Sequence, residues 1–160
     1  MTRQEFSMHV ERSQRPLRRF LTALCCGDST LADDLAQDAY IKAYLSLDSL
    51  TDEGRFDAWV TSIAYRVFID STRRRRYTSP VEEACTAPAP ECADDAFRYQ
   101  ELYQALDRLS DSERASLLLY YMQGYDVREI AETLGMGESN VRQHMSRGRK
   151  HLAQFMEPRP

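Results

Sequence analysis

The chain has 160 residues, enough for one medium domain or two small ones, and is 42% hydrophobic and 29% charged with a formal net charge of −4 at pH 7. It has no run of about eighteen apolar residues, and residues 1–15 lack the apolar core of a signal peptide, so we expect neither a transmembrane helix nor a secretory leader. Four cysteines are too few for a disulfide scaffold, which favours a cytoplasmic protein.

Two helices are predicted before residue 48. Residues 2–26 carry apolar side chains at helical spacing, and Pro16 in their middle predicts a kink or a break. The turn at residues 27–29 ends this helix and offers a cap for the next one. The second helix has a stripe of apolar residues at spacings of four, namely Leu31, Leu35, Ala39, Ala43 and Leu47.

A third helix is predicted to open near Gly54, because apolar residues follow the i, i+3, i+4 pattern from Phe56 to Phe68. This helix continues into consecutive arginines, Arg73, Arg74, Arg75 and Arg76. Cations favour the C-terminal end of a helix, but an unbroken run of arginines exceeds what capping needs. We interpret the run as a set of phosphate contacts.

A linker is predicted at residues 78–96. The segment 78–97 holds three prolines and five acidic residues but no basic side chain. Such a segment buries too little apolar surface to offset the entropy lost on ordering, which is typical of a flexible tether. The chain therefore divides into an N-terminal domain (1–77), the linker and a C-terminal domain (97–160).

Short helices are also predicted in the C-terminal domain. Leu102, Leu106 and Leu109 have the spacing of one helix, and Ser110 with Glu113 is a capping box for another over residues 111–123. No segment of the chain alternates with a period of two over a useful length. The sequence therefore predicts an all-α fold of two small helical domains.

The last two predicted helices, residues 127–134 and 138–155, form a helix-turn-helix candidate. Asp126 and Gly137 can cap them, Gly135 fits the left-handed turn, and Ala131 is small where the helices would cross. One face of the last helix carries Val141, Met145, Gly148 and Leu152, although an internal glycine costs about 1 kcal/mol relative to alanine. The opposite face carries Ser139, Gln143, Ser146 and Lys150, flanked by Arg142 and Arg147.

The side chains on this opposite face favour duplex DNA as a partner. Guanidinium, amide, hydroxyl and ammonium groups are those that read base edges and bind phosphates. Positive charge is concentrated in two short blocks, Arg73–Arg76 and Arg142–Lys150, as contact with nucleic acid at two separate places requires. The alternative is a plain helical hairpin whose polar face is solvated.

These motifs resemble two regions of bacterial RNA polymerase sigma factors. Residues 105–152 are similar to region four, which binds the minus-thirty-five promoter element. The stretches DDLAQDAYIKAYLSL (33–47) and GRFDAWVTSIAYRVFIDSTRRRR (54–76) resemble region two, which docks on core RNA polymerase and opens the minus-ten element. Two domains joined directly by a linker are typical of the extracytoplasmic-function (ECF) subgroup, whose members direct promoter-specific transcription initiation.

The resemblance implies which residues contact each partner. It places core-polymerase contacts on Asp34, Leu35, Gln37 and Asp38. It places contacts with the minus-ten side on Trp59, Arg66 and the run Arg73, Arg74, Arg75 and Arg76, with core packing as the alternative for Trp59. Contacts with the minus-thirty-five element fall on Ser139, Asn140, Arg142, Gln143, Ser146, Arg147 and Lys150.

Ser62 and Ile63 stand where housekeeping sigma factors carry an aromatic pair that helps to melt DNA. Their presence implies weaker strand opening and a stricter promoter requirement. The partners implied are core RNA polymerase, promoter DNA and an anti-sigma factor. Two other functions stay open: a helix-turn-helix activator or repressor that acts without polymerase, and a helical adaptor or decoy that does not bind DNA.

No catalytic, cofactor or metal site, and no small-molecule substrate, is predicted. Cys25 and Cys26 are expected in a helix, one packed and the other partly exposed. Cys85 and Cys92 flank a proline-rich loop at a spacing that is not one of the zinc motifs, with a regulatory disulfide as the alternative. His144 and His151 are about two helical turns apart, too far to share a metal ion without a third group.

The linker also carries an expectation about the free chain. Its acidic side chains can attract the two basic blocks, and its length lets the two domains fold against each other. We therefore expect the free protein to bind promoter DNA poorly, and core polymerase to release that inhibition.

Overall fold

The computed structural model describes the backbone of residues 1–78 and 93–156 and the side chains of residues 1–75 and 99–155. Within these ranges the regular structure is helical throughout, which confirms the all-α prediction. Two 3-10 turns, Leu47–Ser49 and Glu53–Arg55, lie between the second and third helices. The helices are α1 (Arg3–Leu24), α2 (Ser29–Leu45), α3 (Phe56–Thr78), α4 (Ala93–Asp107), α5 (Asp111–Tyr121), α6 (Val127–Leu134) and α7 (Glu138–Met156).

Helix α1 begins at a complete capping box. The Thr2 hydroxyl accepts a hydrogen bond from the Glu5 N–H at 3.2 Å, and the Glu5 carboxylate accepts one from the Thr2 N–H at 2.7 Å. The helix runs through Pro16 without interruption, so the predicted break is wrong. Proline deprives the Arg12 carbonyl of its helical donor, and both residues lie on the exposed side, where solvent can reach that carbonyl.

Helix α2 packs against α1 and α3 through a row of small residues. Asp28 caps it as predicted, because its carboxylate accepts a hydrogen bond from the Leu31 N–H at 3.1 Å. The predicted stripe is one residue too long, since α2 ends at Leu45 and Leu47 belongs to a 3-10 turn. Its alanines allow close approach of the neighbouring helices and are almost completely buried: Ala32, Ala36, Ala39 and Ala43.

The caps of the C-terminal helices follow the sequence with one exception. The Ser110 hydroxyl accepts a hydrogen bond from the Glu113 N–H at 3.2 Å, as expected at the start of α5. The Glu113 carboxylate does not complete the predicted capping box. It is buried and lies 3.1 Å from Nδ1 of His151 on α7. The glutamate therefore joins two helices instead of closing one helix end.

Both cysteines after α1 are buried. Cys25 and Cys26 form the turn that follows the helix and are each 5% exposed, so the expectation of one partly exposed thiol inside a helix is wrong. Cys26 has a φ of 55°, a left-handed conformation that non-glycine residues rarely adopt. Burial is the main cause that raises the pKa of the Cys25 thiol to about 12. Cys85 and Cys92 lie outside the described residues.

The N-terminal helices α1–α3 and the C-terminal helices α4–α7 pack against each other, as expected for the free chain. Helix α1 contacts α4 and α5, and α3 contacts α6. Leu24 and Phe68 share one buried apolar cluster with Leu109 and Leu118. Most of the predicted linker (78–96), with its expected masking of the basic blocks, lies outside the described residues, although the α4 backbone begins at Ala93.

Candidate nucleic-acid interface

Helices α6 and α7 form the predicted helix-turn-helix. The Asp126 carboxylate accepts a hydrogen bond from the Glu129 N–H at 2.8 Å and caps α6. Gly135 ends α6 in a left-handed conformation, with φ 68° and ψ 40°. Val141 and Met145 are buried, so they hold the inner face of α7 against the rest of the domain.

The opposite face of α7 is solvent-exposed. The buried Val141, Met145 and Gly148 fix the rotation of the helix about its axis, which turns the predicted DNA-contact residues outward. This surface combines two guanidinium groups, an ammonium group, two amides and two hydroxyls. The residues that the structure brings together there are Ser139, Asn140, Arg142, Gln143, Ser146, Arg147 and Lys150, all of them exposed.

Gly148 has a packing role that the sequence does not reveal. It lies on the buried face of α7, and a Cβ at this position would be 2.6 Å from Cδ1 of Leu117 on α5. A side chain at this position would therefore force Leu117 to move or α7 to shift away from α5. The glycine that weakens the helix allows the close contact that supports the exposed face.

Arg149 belongs to the basic block of α7 but not to its predicted DNA-contact set. Its Nε donates a hydrogen bond to the Tyr121 hydroxyl at 3.0 Å, and its guanidinium carbon lies 5.7 Å from the centres of both the Tyr120 and Tyr121 rings. These contacts direct Arg149 towards α5. Arg142, Arg147 and Lys150 are left as the cations of the outward surface.

The residues predicted for the minus-ten side lie along α3. Trp59 is half-buried, and its ring centre is 5.9 Å from that of the buried Phe56, so part of its surface belongs to the core. Arg66 is exposed, with Nη2 3.5 Å from the Ser62 hydroxyl. Arg73, Arg74 and Arg75 are exposed on the last turns of α3, whereas the Arg76 side chain lies outside the described residues.

The residues predicted to contact polymerase lie along α2, where Asp34, Gln37 and Asp38 share an exposed surface. Leu35 does not belong to this surface, because it is only 3% exposed and packs in the core. The predicted contact through the Leu35 side chain is therefore corrected. Periodicity alone could have shown this, since Leu35 lies on the same apolar stripe as Ala39.

The exposed face of α2 has an apolar extension that the sequence analysis missed. Ile41 is 57% exposed and Leu45 is 78% exposed, one and two turns beyond Gln37 and Asp38 on the same side of the helix. Tyr44 beside them is 45% exposed. The signal was available, because these apolar residues fall outside the buried stripe. Carboxylates at one end and apolar side chains at the other suit a protein partner.

Sequence comparisons identify both halves of the chain. The family model "Sigma-70 region 2" matches residues 9–78, and "Sigma-70, region 4" matches residues 99–152. The ECF RNA polymerase sigma factor SigX of Bacillus subtilis is 30% identical, over 81% of this chain and 73% of that protein. SigM of Mycobacterium tuberculosis is 29% identical, over 96% of this chain and 78% of that protein. The chain belongs to the ECF sigma factors.

Solved structures have the same fold as this sigma factor. RpoE of Bartonella quintana, crystallised with the anti-sigma factor NepR, is 24% identical with a TM-score of 0.80, over 98% of this chain and 99% of that chain. CnrH, in complex with the cytosolic domain of CnrY, is 22% identical with a TM-score of 0.72, over 98% and 90% of the two chains. At this identity the likeness establishes the arrangement of helices.

The family fixes what this sigma factor does. It directs promoter-specific initiation by RNA polymerase, and it is an initiation factor rather than an enzyme. The described residues contain no cluster of three side chains able to hold a metal ion. None of the helices within residues 1–78 and 93–156 combines the length and apolar character needed to cross a bilayer.

Proposed function

We propose that α2 binds core polymerase, α3 contacts the minus-ten side of the promoter, and the outward face of α7 reads the minus-thirty-five element. The observation that carries this proposal is the sharp division of α7. Val141, Met145 and Gly148 are buried, while every side chain predicted to contact DNA is exposed on the other side. A recognition helix needs this arrangement to enter a major groove.

On α7 the proposed roles divide by chemistry. Arg142 and Arg147 supply guanidinium groups that can bind the O6 and N7 acceptors of guanine. Asn140 and Gln143 supply amides that suit adenine. The flexible ammonium of Lys150, together with the hydroxyls of Ser139 and Ser146, suits phosphate oxygens, so these residues fix the register of the helix on the duplex.

On α3 the proposed contacts are mainly electrostatic. Exposed Arg66 can stack on an unpaired base or bind a phosphate, and the arginines from Arg73 onwards can bind phosphates upstream. Trp59 offers only the part of its ring that is not packed against Phe56. We propose that region two therefore grips the backbone strongly and melts DNA weakly, in keeping with Ser62 and Ile63 at the melting positions.

We also propose that this sigma factor is held in check by an anti-sigma factor and works in the cytoplasm beside its polymerase. Its structural neighbours RpoE and CnrH were each solved with a regulatory partner. A groove of about 1020 Å³ between α1 and helices α4 and α5 suits such a partner. One wall carries Arg12, Arg15 and Arg19, and the other is lined by apolar residues including Leu102 and Leu106, which fits an acidic amphipathic helix.

Charge reversal on α2 tests the polymerase contact. Asp34→Lys with Asp38→Lys removes the carboxylates that can pair with basic residues of a polymerase helix, so we expect holoenzyme formation to fall at least tenfold, as losing interfacial charge pairs does. Binding to core polymerase and run-off transcription are the measurements. Circular dichroism checks that the helices persist.

The matched control reverses the same number of charges at Asp48 and Glu53, which are exposed in the 3-10 turns after α2. This variant should bind polymerase as the wild type does. Undiminished binding by the Asp34/Asp38 variant would refute the assignment and favour a DNA-binding regulator that acts without polymerase.

A further inference from the structure

Arg114 is a buried cation at the seam between the N-terminal and C-terminal helices. It begins the second turn of α5, and the residue is only 5% exposed. Its guanidinium makes hydrogen bonds in both directions. Within its own half, Nη1 donates to the Leu106 carbonyl at 3.0 Å and the Leu109 carbonyl at 3.1 Å, and Nη2 donates to the Asp111 carboxylate at 2.9 Å.

The Nε donor reaches the other half of the molecule. Nε of Arg114 donates to the carbonyl of Leu24, the last residue of α1, at 2.9 Å. The carbonyls at a helix C-terminus lack helical donors and carry partial negative charge. A cationic donor placed there supplies the missing hydrogen bond and compensates the charge. Arg114 thus binds the end of an N-terminal helix from a position 90 residues away in the sequence.

Other polar contacts also cross the seam. Gln123 Nε2 donates to the Pro16 carbonyl at 3.1 Å, and Arg55 lies 3.7 Å from Glu132, with both of these side chains more than half exposed. Each exposed contact of this kind contributes only modestly to closure. Among these contacts Arg114 is the buried charge; the buried Tyr65 hydroxyl also forms a side-chain hydrogen bond with Ser112 across the seam. A buried charge needs its partners far more than an exposed one does.

Two thiols lie directly under this contact. Cys25 and Cys26 follow Leu24, are buried, and line the same cavity of about 570 Å³ as Arg114 and Phe68. The walls of that cavity come from both halves of the chain, since Leu109 and Ser110 also line it. Separation of the two halves would remove one wall and widen the access of solvent to the thiols.

We propose that Arg114 is a latch that holds regions two and four together in the free sigma factor, and that Cys25 and Cys26 become accessible only when the latch opens. The latch suits reversible opening, because water can satisfy both the guanidinium and the Leu24 carbonyl once they separate. Its function in initiation rests on the proposed function, in which regions two and four contact separate promoter elements. Its existence does not, so it is tested without polymerase or DNA.

The experiment uses the full chain carrying Cys85→Ser and Cys92→Ser, so that Cys25 and Cys26 are the remaining thiols. Arg114→Met keeps the length of the side chain but removes its donors. We expect the rate of alkylation by N-ethylmaleimide to rise on the order of tenfold, because buried groups react through local opening. Small-angle scattering should show a larger radius of gyration.

Arg108→Met is the matched control. Arg108 is an exposed arginine in the turn after α4, and its guanidinium carbon lies 4.7 Å from the centre of the Phe155 ring within its own half. This variant should keep the wild-type alkylation rate and radius. An Arg114→Met protein with wild-type helicity, alkylation rate and radius would overturn the latch.

Arg114 also binds the end of α4, so Arg114→Met could unfold the C-terminal helices. A loss of helicity would show this, and a second variant then decides. Arg55→Ala with Gln123→Ala cuts seam contacts without touching a hydrogen bond inside either half. It should raise alkylation a few-fold with helicity intact, because weaker closure populates the open state more often. An unchanged alkylation rate in that variant would overturn the proposal.

Discussion

Gly148 lies in the middle of α7, where glycine lowers helix stability by about 1 kcal/mol relative to alanine. A Cβ there would lie 2.6 Å from Cδ1 of Leu117 and 3.5 Å from Cβ of Glu113. Leu117 is only 3% exposed, so it has little room to move away. Overpacking of a core costs about 1–3 kcal/mol, and this exceeds the gain in helix propensity.

We therefore expect Gly148→Ala to lower the free energy of unfolding by roughly 1 kcal/mol in urea denaturation. In a Leu117→Ala background the same change should stabilise the protein by a similar amount, because the clash is gone and only propensity remains. Ala153→Gly, at an exposed position of α7, measures the propensity term by itself. An equal effect of Gly148→Ala in both backgrounds would show that the Leu117 contact is unimportant.

The buried thiol of Cys25 makes stability depend on alkaline pH. Burial raises its pKa from an ordinary value of 9.0 to about 12, so above pH 9 the unfolded chain loses this proton while the folded chain keeps it. The stabilisation is complete below the unfolded pKa and is lost as pH rises from 9 to 12. Between pH 8 and pH 10, the free energy of unfolding of the wild type should fall by about 1 kcal/mol more than that of Cys25→Ala. Equal losses of unfolding free energy in the wild type and Cys25→Ala would contradict burial of the thiol.

Arg114 shows what residue types alone could not predict. In the sequence it is one more charged residue of a short helix, and solvation is the ordinary expectation for such a side chain. Its burial depends on carbonyls at the ends of α4 and α1, and the second of these is distant in the sequence. Leu35 is the reverse case, since its own apolar pattern predicted burial while the family motif suggested contact.

At the scale of helices, local chemistry was a reliable guide. Asp28, Ser110 and Asp126 cap the helices that they were predicted to cap, and Gly135 adopts the predicted left-handed conformation. These features depend on bonds spanning only a few residues, which sequence spacing encodes directly. The break predicted at Pro16 is wrong because the prediction used only this local chemistry. Proline disfavours a helix locally, but α1 packs against α2 and stays intact.

The predicted DNA-reading face of α7 has a test of its own. Arg142→Ala and Arg147→Ala should each weaken the free energy of promoter binding by roughly 1–3 kcal/mol when the minus-thirty-five element is correct, as loss of a bidentate base contact does. The loss should be smaller on a mismatched promoter. Lys150→Ala should weaken binding evenly across sequences and reduce the salt dependence. The measurement is holoenzyme affinity for matched and mismatched promoters at several salt concentrations.

Arg108→Ala, which removes an exposed arginine from the turn after α4, is the control for charge alone. Equal losses on all promoters for Arg142→Ala and Arg147→Ala would reduce α7 to a non-specific electrostatic contact.

At the scale of the whole molecule, the sequence predicted two helical units but not the surface between them. The pairs that join the units, such as Gln123 with Pro16, leave no periodic pattern in either segment. A shift in composition predicts where a domain ends, whereas contact between domains depends on complementary shape. The expected masking by the linker falls on residues outside the described ranges, and the described contacts leave the DNA-contact face of α7 exposed.

A shared apolar cluster predicts that the two units unfold together. Trp59 is the sole tryptophan and reports on the N-terminal helices, while far-ultraviolet circular dichroism reports on all of them. We expect both signals to follow one transition in urea, as two-state unfolding requires. A second loss of helicity after the Trp59 change is complete would show that the units are independent.

The exposed face of α2 has a consequence for the order in which polymerase and promoter are bound. Asp34 and Asp38 are open to solvent while regions two and four are packed together, so a partner that needs only this face finds its site in every molecule. A ligand that requires the regions apart finds only the separated fraction, and its apparent dissociation constant is the intrinsic value divided by that fraction. If α2 binds polymerase as proposed, closure hinders the first contact with polymerase less than it hinders promoter engagement. Under the proposed roles, closure would favour promoter binding by sigma molecules that are already bound to polymerase.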